Sequence, residues 1–427
     1  MAFSSSTYGV QIEAAIPNRR ASRRGSKQPG GPTRPEAVAR LERLKSTVRV
    51  IVDCRYVRER PSGIGAYVRA LLDRLPTPPG REYLLWAHPR ALRPLNTSPA
   101  VRETVIAAGP SSPLSILWPD RYASFDGVAL FHSPHNILPR RIPCPSIVTV
   151  HDVLALDWPA LHRPGIERIR GLYYPQAVMR ALQQATRIIV PTVATADRVL
   201  AWAPDATTRL RVIRHAPGAP FRPAVDGMAA HAAAVSLVGS DQPYILVVGE
   251  NSPNKSHEVA LAAFAAAAPP HWRLVLVQRL GSPHLLRRLA ERAGIAPRVV
   301  WLKGLSDVEV ATLMQSASAL LQPSRYEGFG LPVVEAMASG CPVIASDIAP
   351  LREVTGGAAL LVPPGDTGAF GAALRRLVES PDARRALIDA GREQSQQFSW
   401  DRTASETFAL YDEVMNGSGA LTPLSTS

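Results

Sequence analysis

Arg325-Tyr326-Glu327-Gly328-Phe329-Gly330-Leu331-Pro332-Val333-Val334-Glu335-Ala336-Met337-Ala338-Ser339-Gly340-Cys341-Pro342-Val343-Ile344-Ala345 is one strand-to-strand connection. The apolar run Ala319–Gln322 before it reads as a buried strand. A helix begins near Pro332, since proline suits a first helical turn, and runs to Ser339. Gly340-Cys341-Pro342 closes it and launches a second strand, Pro342–Ala345. Gly328 and Gly330, directly ahead of the helix, free backbone N–H groups at its N-terminus. Such a place takes negative charge or sugar hydroxyls. Glu327 falls in the loop and Glu335 about one turn into the helix, so each carboxylate can serve a different part of one extended, hydroxyl-rich ligand.

The same alternation extends in both directions. Toward the N-terminus, strands are expected at Val48–Asp53, Glu82–Trp86, Val128–Phe131, Ser146–Val150, Arg187–Val190 and Arg211–Ile213. Helices are expected at Ala66–Leu75, Ile166–Gln184 and Ala194–Ala201, with a turn at Pro61-Ser62-Gly63-Ile64-Gly65. The proline-rich stretch His215–Pro223 interrupts the pattern as an interdomain connection would. Strands resume at Tyr244–Val248, Arg273–Val277, Val299–Leu302 and Ala359–Val362, with helices at His257–Ala267, His284–Ala293, Asp307–Ser316, Thr367–Val378, Pro381–Phe398 and Asp401–Met415. Strand–helix alternation of this kind predicts an α/β fold with doubly wound parallel sheets. The expected layout is a disordered basic tail (1–46), a first Rossmann-like domain (47–216), a linker (217–240), a second Rossmann-like domain (241–400) and a C-terminal helix and tail (401–427). Ligands of such sheets bind at the carboxyl ends of the strands, so the site is expected in a cleft between the two domains.

Composition narrows the function classes. The 427 residues allow two or three domains and a large core. Three scattered cysteines, Cys54, Cys144 and Cys341, exclude a disulfide framework and a cysteine-based zinc site, and fit a reducing, cytoplasmic setting. No apolar run approaches the roughly 18 residues a membrane helix needs, and no secretory signal is expected. Of the net charge of +13, the first 48 residues carry nine basic against three acidic residues. That excess fits a contact with an anionic membrane face. No stacking motif or dominant basic helix supports nucleic-acid binding. No D-x-D or H-x-x-x-H pair points to a metal site.

The quoted stretch resembles the signature of the family 4 retaining glycosyltransferases, and the resemblance covers nearly all of residues 48–416. It implies the GT-B architecture, two Rossmann-like domains facing across a cleft. It also implies a metal-independent hexosyltransferase that uses a nucleotide-diphosphate sugar and needs no cofactor. By the resemblance, Glu327 binds donor-sugar hydroxyls, the N–H groups around Gly328, Phe329, Gly330 and Leu331 contact sugar or diphosphate, and Glu335 holds the ribose. Gly249 and Lys255, after the first strand of the second domain, suit the diphosphate. Asn254 stands where the family usually has arginine, with Arg279 or Arg325 as replacement cations. Gly63-Ile64-Gly65 resembles the family's turn beside the diphosphate and acceptor, with Ala66 in place of arginine. His151 is expected to bond the donor sugar and Asp152 to orient its loop, while His132 is expected on the acceptor side. The Gly-Ile-Gly turn and the His-Asp pair look most like those of bacterial mannosyl or rhamnosyl transferases of polysaccharide assembly, which implies GDP-mannose as first donor with UDP-glucose and dTDP-rhamnose open, a glycan or lipid-linked acceptor, and work at the inner membrane face. A degenerate nucleotide-sugar binder, suggested by Asn254, and a same-fold hydrolase or epimerase are the alternatives.

Overall fold

Val50, Ile51 and Val52 are all buried, as are Ile245 to Val248 and Leu274 to Val277. Runs without apolar–polar alternation belong to parallel strands covered by helices on both faces. The computed structural model describes residues 47–59, 62–159, 166–278 and 284–417. The expected N-terminal tail, Pro61 and Arg279 lie outside these residues.

Two parallel sheets result. The first holds β1 (Val48–Asp53), β2 (Arg81–Ala87), β3 (Val101–Val105), β4 (Val128–Ser133), β5 (Ser146–Thr149), β6 (Arg187–Val190) and β7 (Leu210–Val212), in the order β3-β2-β1-β4-β5-β6-β7. The second holds β8 (Tyr244–Val248), β9 (Arg273–Gln278), β10 (Val299–Lys303), β11 (Ala319–Gln322), β12 (Val343–Ser346) and β13 (Leu360–Val362), in the order β10-β9-β8-β11-β12-β13. Both are doubly wound, with the strand order reversing between β1 and β4 and again between β8 and β11. The crevice at each reversal opens at the carboxyl ends of the strands, where the loops after β1, β4, β8 and β11 lie.

Four expectations change. Strand β3 had no counterpart in the sequence pattern. It is an edge strand, Val101-Arg102-Glu103-Thr104-Val105, mostly solvated, and so carries no apolar run. Gly63-Ile64-Gly65 is the first turn of the helix Gly63–Leu72, because the Ser62 side chain caps it by accepting from the Gly65 N–H at 3.0 Å. A Cβ on Gly65 would stand 2.7 Å from the Tyr56 carbonyl oxygen, so the tight entry requires glycine. The span 217–240, expected as a linker, contains the helix Gly227–Val238. Asp226 caps its start through the Met228 and Ala229 N–H groups, and Gly239 ends it at φ +73°. Ala234 and Val238 bury in the second-domain core, with Phe221 from the proline-rich stretch. Alanine at Ala229, Ala230 and Ala232–Ala234 supplies helix propensity that a proline-led reading overlooks. A further short helix, Ala349–Thr355, follows β12.

The helix Trp400–Met415 follows the second domain but packs into the first. Phe408, Leu410, Tyr411 and Val414 join the core of β1 and the Gly63–Leu72 helix. Arg81 pairs with Asp412 at 2.5 Å and Arg187 with Glu413 at 2.8 Å.

Candidate active site

Lys255 and Glu327 come from loops 72 residues apart and meet directly. Lys255 Nζ donates to both carboxylate oxygens of Glu327 at 2.7 Å. Gln322 Nε2 and the Ser324 hydroxyl each donate to Glu327 Oε1, also at 2.7 Å. Glu327 is thus fixed by three donors of its own domain, with only 7% of its side chain exposed. Fixed donors of this kind hold a carboxylate in one rotamer.

Asn254 does not take over the arginine's work. It is buried, accepts from the Ser252 hydroxyl at 2.8 Å, and sends Nδ2 toward the Tyr326 carbonyl at 3.5 Å. Its backbone carbonyl accepts from the Arg325 N–H at 2.8 Å. Asn254 therefore braces the two loops against one another. The Arg325 guanidinium stands beside Gly365. Gly249 has φ +151° and packs near His257, a conformation that favours glycine.

The helix Leu331–Ala338 opens at Gly330, whose φ is +99° and where a Cβ would meet Leu351 at 2.5 Å. Phe329 is buried, its ring 5.3 Å from that of His215. Glu335 is half-buried on this helix. Across the cleft, a Cβ on Gly63 would lie 3.7 Å from Leu331 Cδ1. The N-termini of two helices, one per domain, therefore converge in the cleft, and each end carries partial positive charge. Ile64 lies in the first turn on the first-domain side.

The His151-Asp152 pair lies against the signature loop: a Cβ on Gly328 would lie 1.7 Å from the His151 carbonyl oxygen and 3.1 Å from Asp152 Cβ. The His151 ring, however, turns inward. Its Nε2 donates to the Pro134 carbonyl at 3.0 Å, and its Nδ1 lies 3.0 Å from His215 Nε2. Because a carbonyl can only accept, Nε2 carries the proton and Nδ1 accepts from His215. Burial holds His151 down to about 4, with His135 adding to it, so the ring is neutral. Both ring nitrogens are engaged inside the protein; a sugar bond to either requires releasing one of them. Asn136 supports the pair, accepting from the His151 N–H and donating to the Asp152 carbonyl, both at 2.9 Å. Burial raises Asp152, with Glu327 and Asp157 pushing the same way against Leu154 and Lys255.

His132 is a correction. It is fully buried in the core rather than on the acceptor side, 2.5 Å from the Tyr411 hydroxyl and 2.9 Å from Thr149 Oγ1. Strand β4 alternates its side chains, and His132 faces the C-terminal helix rather than the cleft.

Sequence reasoning missed a buried cluster at the carboxyl end of β1. Arg55 grips Asp53 in bidentate fashion at 2.8 and 2.6 Å, and donates to the Ala108 carbonyl and the Ser115 hydroxyl. His135 Nε2 lies 3.2 Å from the same carboxylate. Burial alone would raise Asp53, but Arg55 and His135 hold it well below the carboxylate range. The signal was present: a strand whose apolar run Val50-Ile51-Val52 ends in Asp53, followed two residues later by Arg55. Also missed were Tyr326, Asp157, Thr192 and Thr195, which join the domains. Among the described residues, no group of three or more His, Cys, Asp or Glu is placed to hold a metal ion.

Two doubly wound sheets, with the site at their facing switch points, define the GT-B class. Residues 232–394 match the family model described as glycosyl transferases group 1. The chain is 42% identical over 146 residues to the MMP alpha-(1->4)-mannosyltransferase of Mycolicibacterium hassiacum, which covers 33% of this chain and 36% of that protein. It is 26% identical to the O-antigen chain mannosyltransferase B of Escherichia coli over 66% of this chain and 74% of that protein. The chain therefore spans about a third of the first relative and three quarters of the second. Among solved structures, the sucrose-phosphate synthase of Thermosynechococcus elongatus superposes with a TM-score of 0.71 at 23% identity, covering 87% of this chain and all of that one. The fold is thus of GT-B type, and its second domain is similar in sequence to glycosyl transferases group 1.

Proposed function

We propose that this chain transfers a hexose, mannose first, from a nucleotide-diphosphate sugar to a glycan or lipid-linked acceptor. The observation that carries the reading is the Lys255–Glu327 pair, in a cleft where two helix N-termini converge. A diphosphate between those N-termini competes with Glu327 for the lysine. Glu327, still held at Oε1 by Gln322 and Ser324, then offers Oε2 to hydroxyls of the donor sugar, and Glu335 serves the ribose. Two relatives named as mannosyltransferases support mannose.

In the proposed step the bond between the anomeric carbon and the phosphate oxygen breaks, with the electron pair going to the nucleoside diphosphate. Lys255 and the helix N-termini stabilise that developing charge without a metal. The acceptor hydroxyl attacks on the same face, forming the new glycosidic bond with retention. Its proton passes to the departing phosphate. Asp152, at the cleft wall on the first-domain side, stands on the side the acceptor approaches. The basic excess favours an acceptor at an anionic membrane surface. Among the described residues no helix is long and apolar enough to cross a membrane.

A thermal-shift screen tests the reading with GDP-mannose, UDP-glucose, UDP-GlcNAc and dTDP-rhamnose, wild type beside Glu335→Ala. A ligand of the native state raises Tm. One donor should raise it in the wild type and not in the variant, and the same donor should give transfer product. No shift with any donor overturns the reading in favour of a degenerate binder, and free sugar as the sole product points to a hydrolase.

A further inference from the structure

Glu327 is fixed by its own domain, yet the residues on either side of it are held by the other one. The Tyr326 hydroxyl donates to Asp157 Oδ2 at 2.9 Å and accepts from the Val153 N–H at 3.3 Å. The Gly328 carbonyl accepts from the Thr195 and Thr192 hydroxyls at 2.8 and 2.9 Å. Only glycine at 328 lets the loop come this close, since a Cβ there would overlap the His151 carbonyl.

One first-domain helix, Val193–Trp202, organises these anchors. Thr192 caps it and Thr195 lies in its first turn. Arg198 and Trp202, further along, hold Asp157 from the far side, Arg198 Nη2 at 2.5 Å and Trp202 Nε1 at 2.8 Å. The Asp157 carboxylate is 4% exposed and oriented by its own domain, ready to accept from the tyrosine. The Ala194 N–H, at the start of the same helix, donates to Glu353 Oε2 of the second domain at 3.2 Å. A negative group at a helix N-terminus is favourable there.

We propose that this helix and Asp157 form a latch that sets the signature loop when the two domains come together, with Tyr326 as the positioning residue that couples domain closure to transfer. Resting on the cleft being the transfer site, the latch explains why the loop carrying Glu327 has glycine and tyrosine on either side of the carboxylate. Domain separation breaks all four bonds to Tyr326 and Gly328. The Lys255–Glu327 pair, confined to one domain, survives it. Donor binding, which uses the second domain, is then separable from turnover, which needs the latch. Closure that completes a catalytic constellation is a known way to gate turnover.

The test uses the full chain as wild type, Tyr326→Phe and Thr195→Val, each change removing one hydroxyl at nearly constant shape. Loss of a hydrogen bond to a charged acceptor should lower the kcat of Tyr326→Phe about tenfold. Donor affinity in the thermal-shift titration should stay unchanged, and small-angle scattering should show a larger radius of gyration with donor than the wild type has. Thr195→Val should change in the same direction and by less. Unchanged kcat in both variants overturns the latch, as does a fall in donor affinity that matches the fall in kcat with no change in scattering. If the wild type transfers no sugar from any donor, the reading of the cleft fails. The scattering comparison of wild type with Tyr326→Phe, without ligand, then decides the latch alone.

Discussion

Arg55 is the clearest case of a side chain whose value lies in its surroundings. Its guanidinium is fully buried, grips Asp53, donates to Ala108 and Ser115, and lies 5.3 Å above the Trp86 ring. A buried pair is weak evidence of net stability, but removing one partner strands the other charge, at about 3–5 kcal/mol. Arg55→Met should lower the unfolding free energy by about that amount in urea titration. A change under about 1 kcal/mol would mean that Asp53 finds water or another donor. The buried histidines add a pH dependence. Burial is the main cause that holds His132 down to about 3, and His151 and His257 down to about 4. The unfolded chain takes up these protons as the pH falls through about 6.5, while the folded chain does not until much lower. Their stabilisation is therefore fully present above about pH 6.5 and is lost progressively toward pH 4, by up to about 1.4 kcal/mol per unit for each histidine. Tm should fall between about pH 7 and pH 5 in low salt; a flat profile would sink this account.

At the scale of elements, the signature loop and the helix behind it work as one piece. Gly330 supplies the left-handed entry and Gly328 the close approach to His151. Gly328→Ala should keep the second domain folded, because the overlap lies with a residue of the first domain. Turnover should drop by about two orders of magnitude or more, as expected when catalytic parts are displaced by an ångström or so. A variant with wild-type turnover would show that the loop does not need this proximity. Strand β11, the loop and the helix were legible in the sequence because local chemistry encodes them. An apolar run, a glycine pair and a proline at the first turn each act within a few residues. The helix Gly227–Val238 was not legible beside its prolines, since its stability comes from burying Ala234 and Val238 on a distant sheet.

At the scale of the whole molecule, the C-terminal helix ties the two domains into one unit. Phe408 is 7% exposed and packs in the first-domain core, near Tyr411. Phe408→Ala should destabilise the protein by about 3–5 kcal/mol and lower the first domain's melting, although the helix follows the second domain in sequence. Calorimetry that showed only the second domain weakened would contradict this packing. The basic excess belongs to this scale too: flotation with anionic vesicles at low salt should show binding that disappears at high salt.

The sequence by itself determined the two-sheet α/β plan, most strand positions, the signature loop with Glu327, the helix after it with Glu335, and Lys255 in the loop after β8. These depend on hydrophobic runs and short-range turn chemistry, which any stretch of chain carries with it. Tertiary structure alone decided that Lys255 pairs with Glu327, that His132 is a core residue, that His151 turns toward His215, and that Tyr326 answers to Asp157. Those facts are pairings across 72, 279, 64 and 169 residues. A side chain's partner at such a distance is set by how the sheets and helices pack, and no local pattern records it.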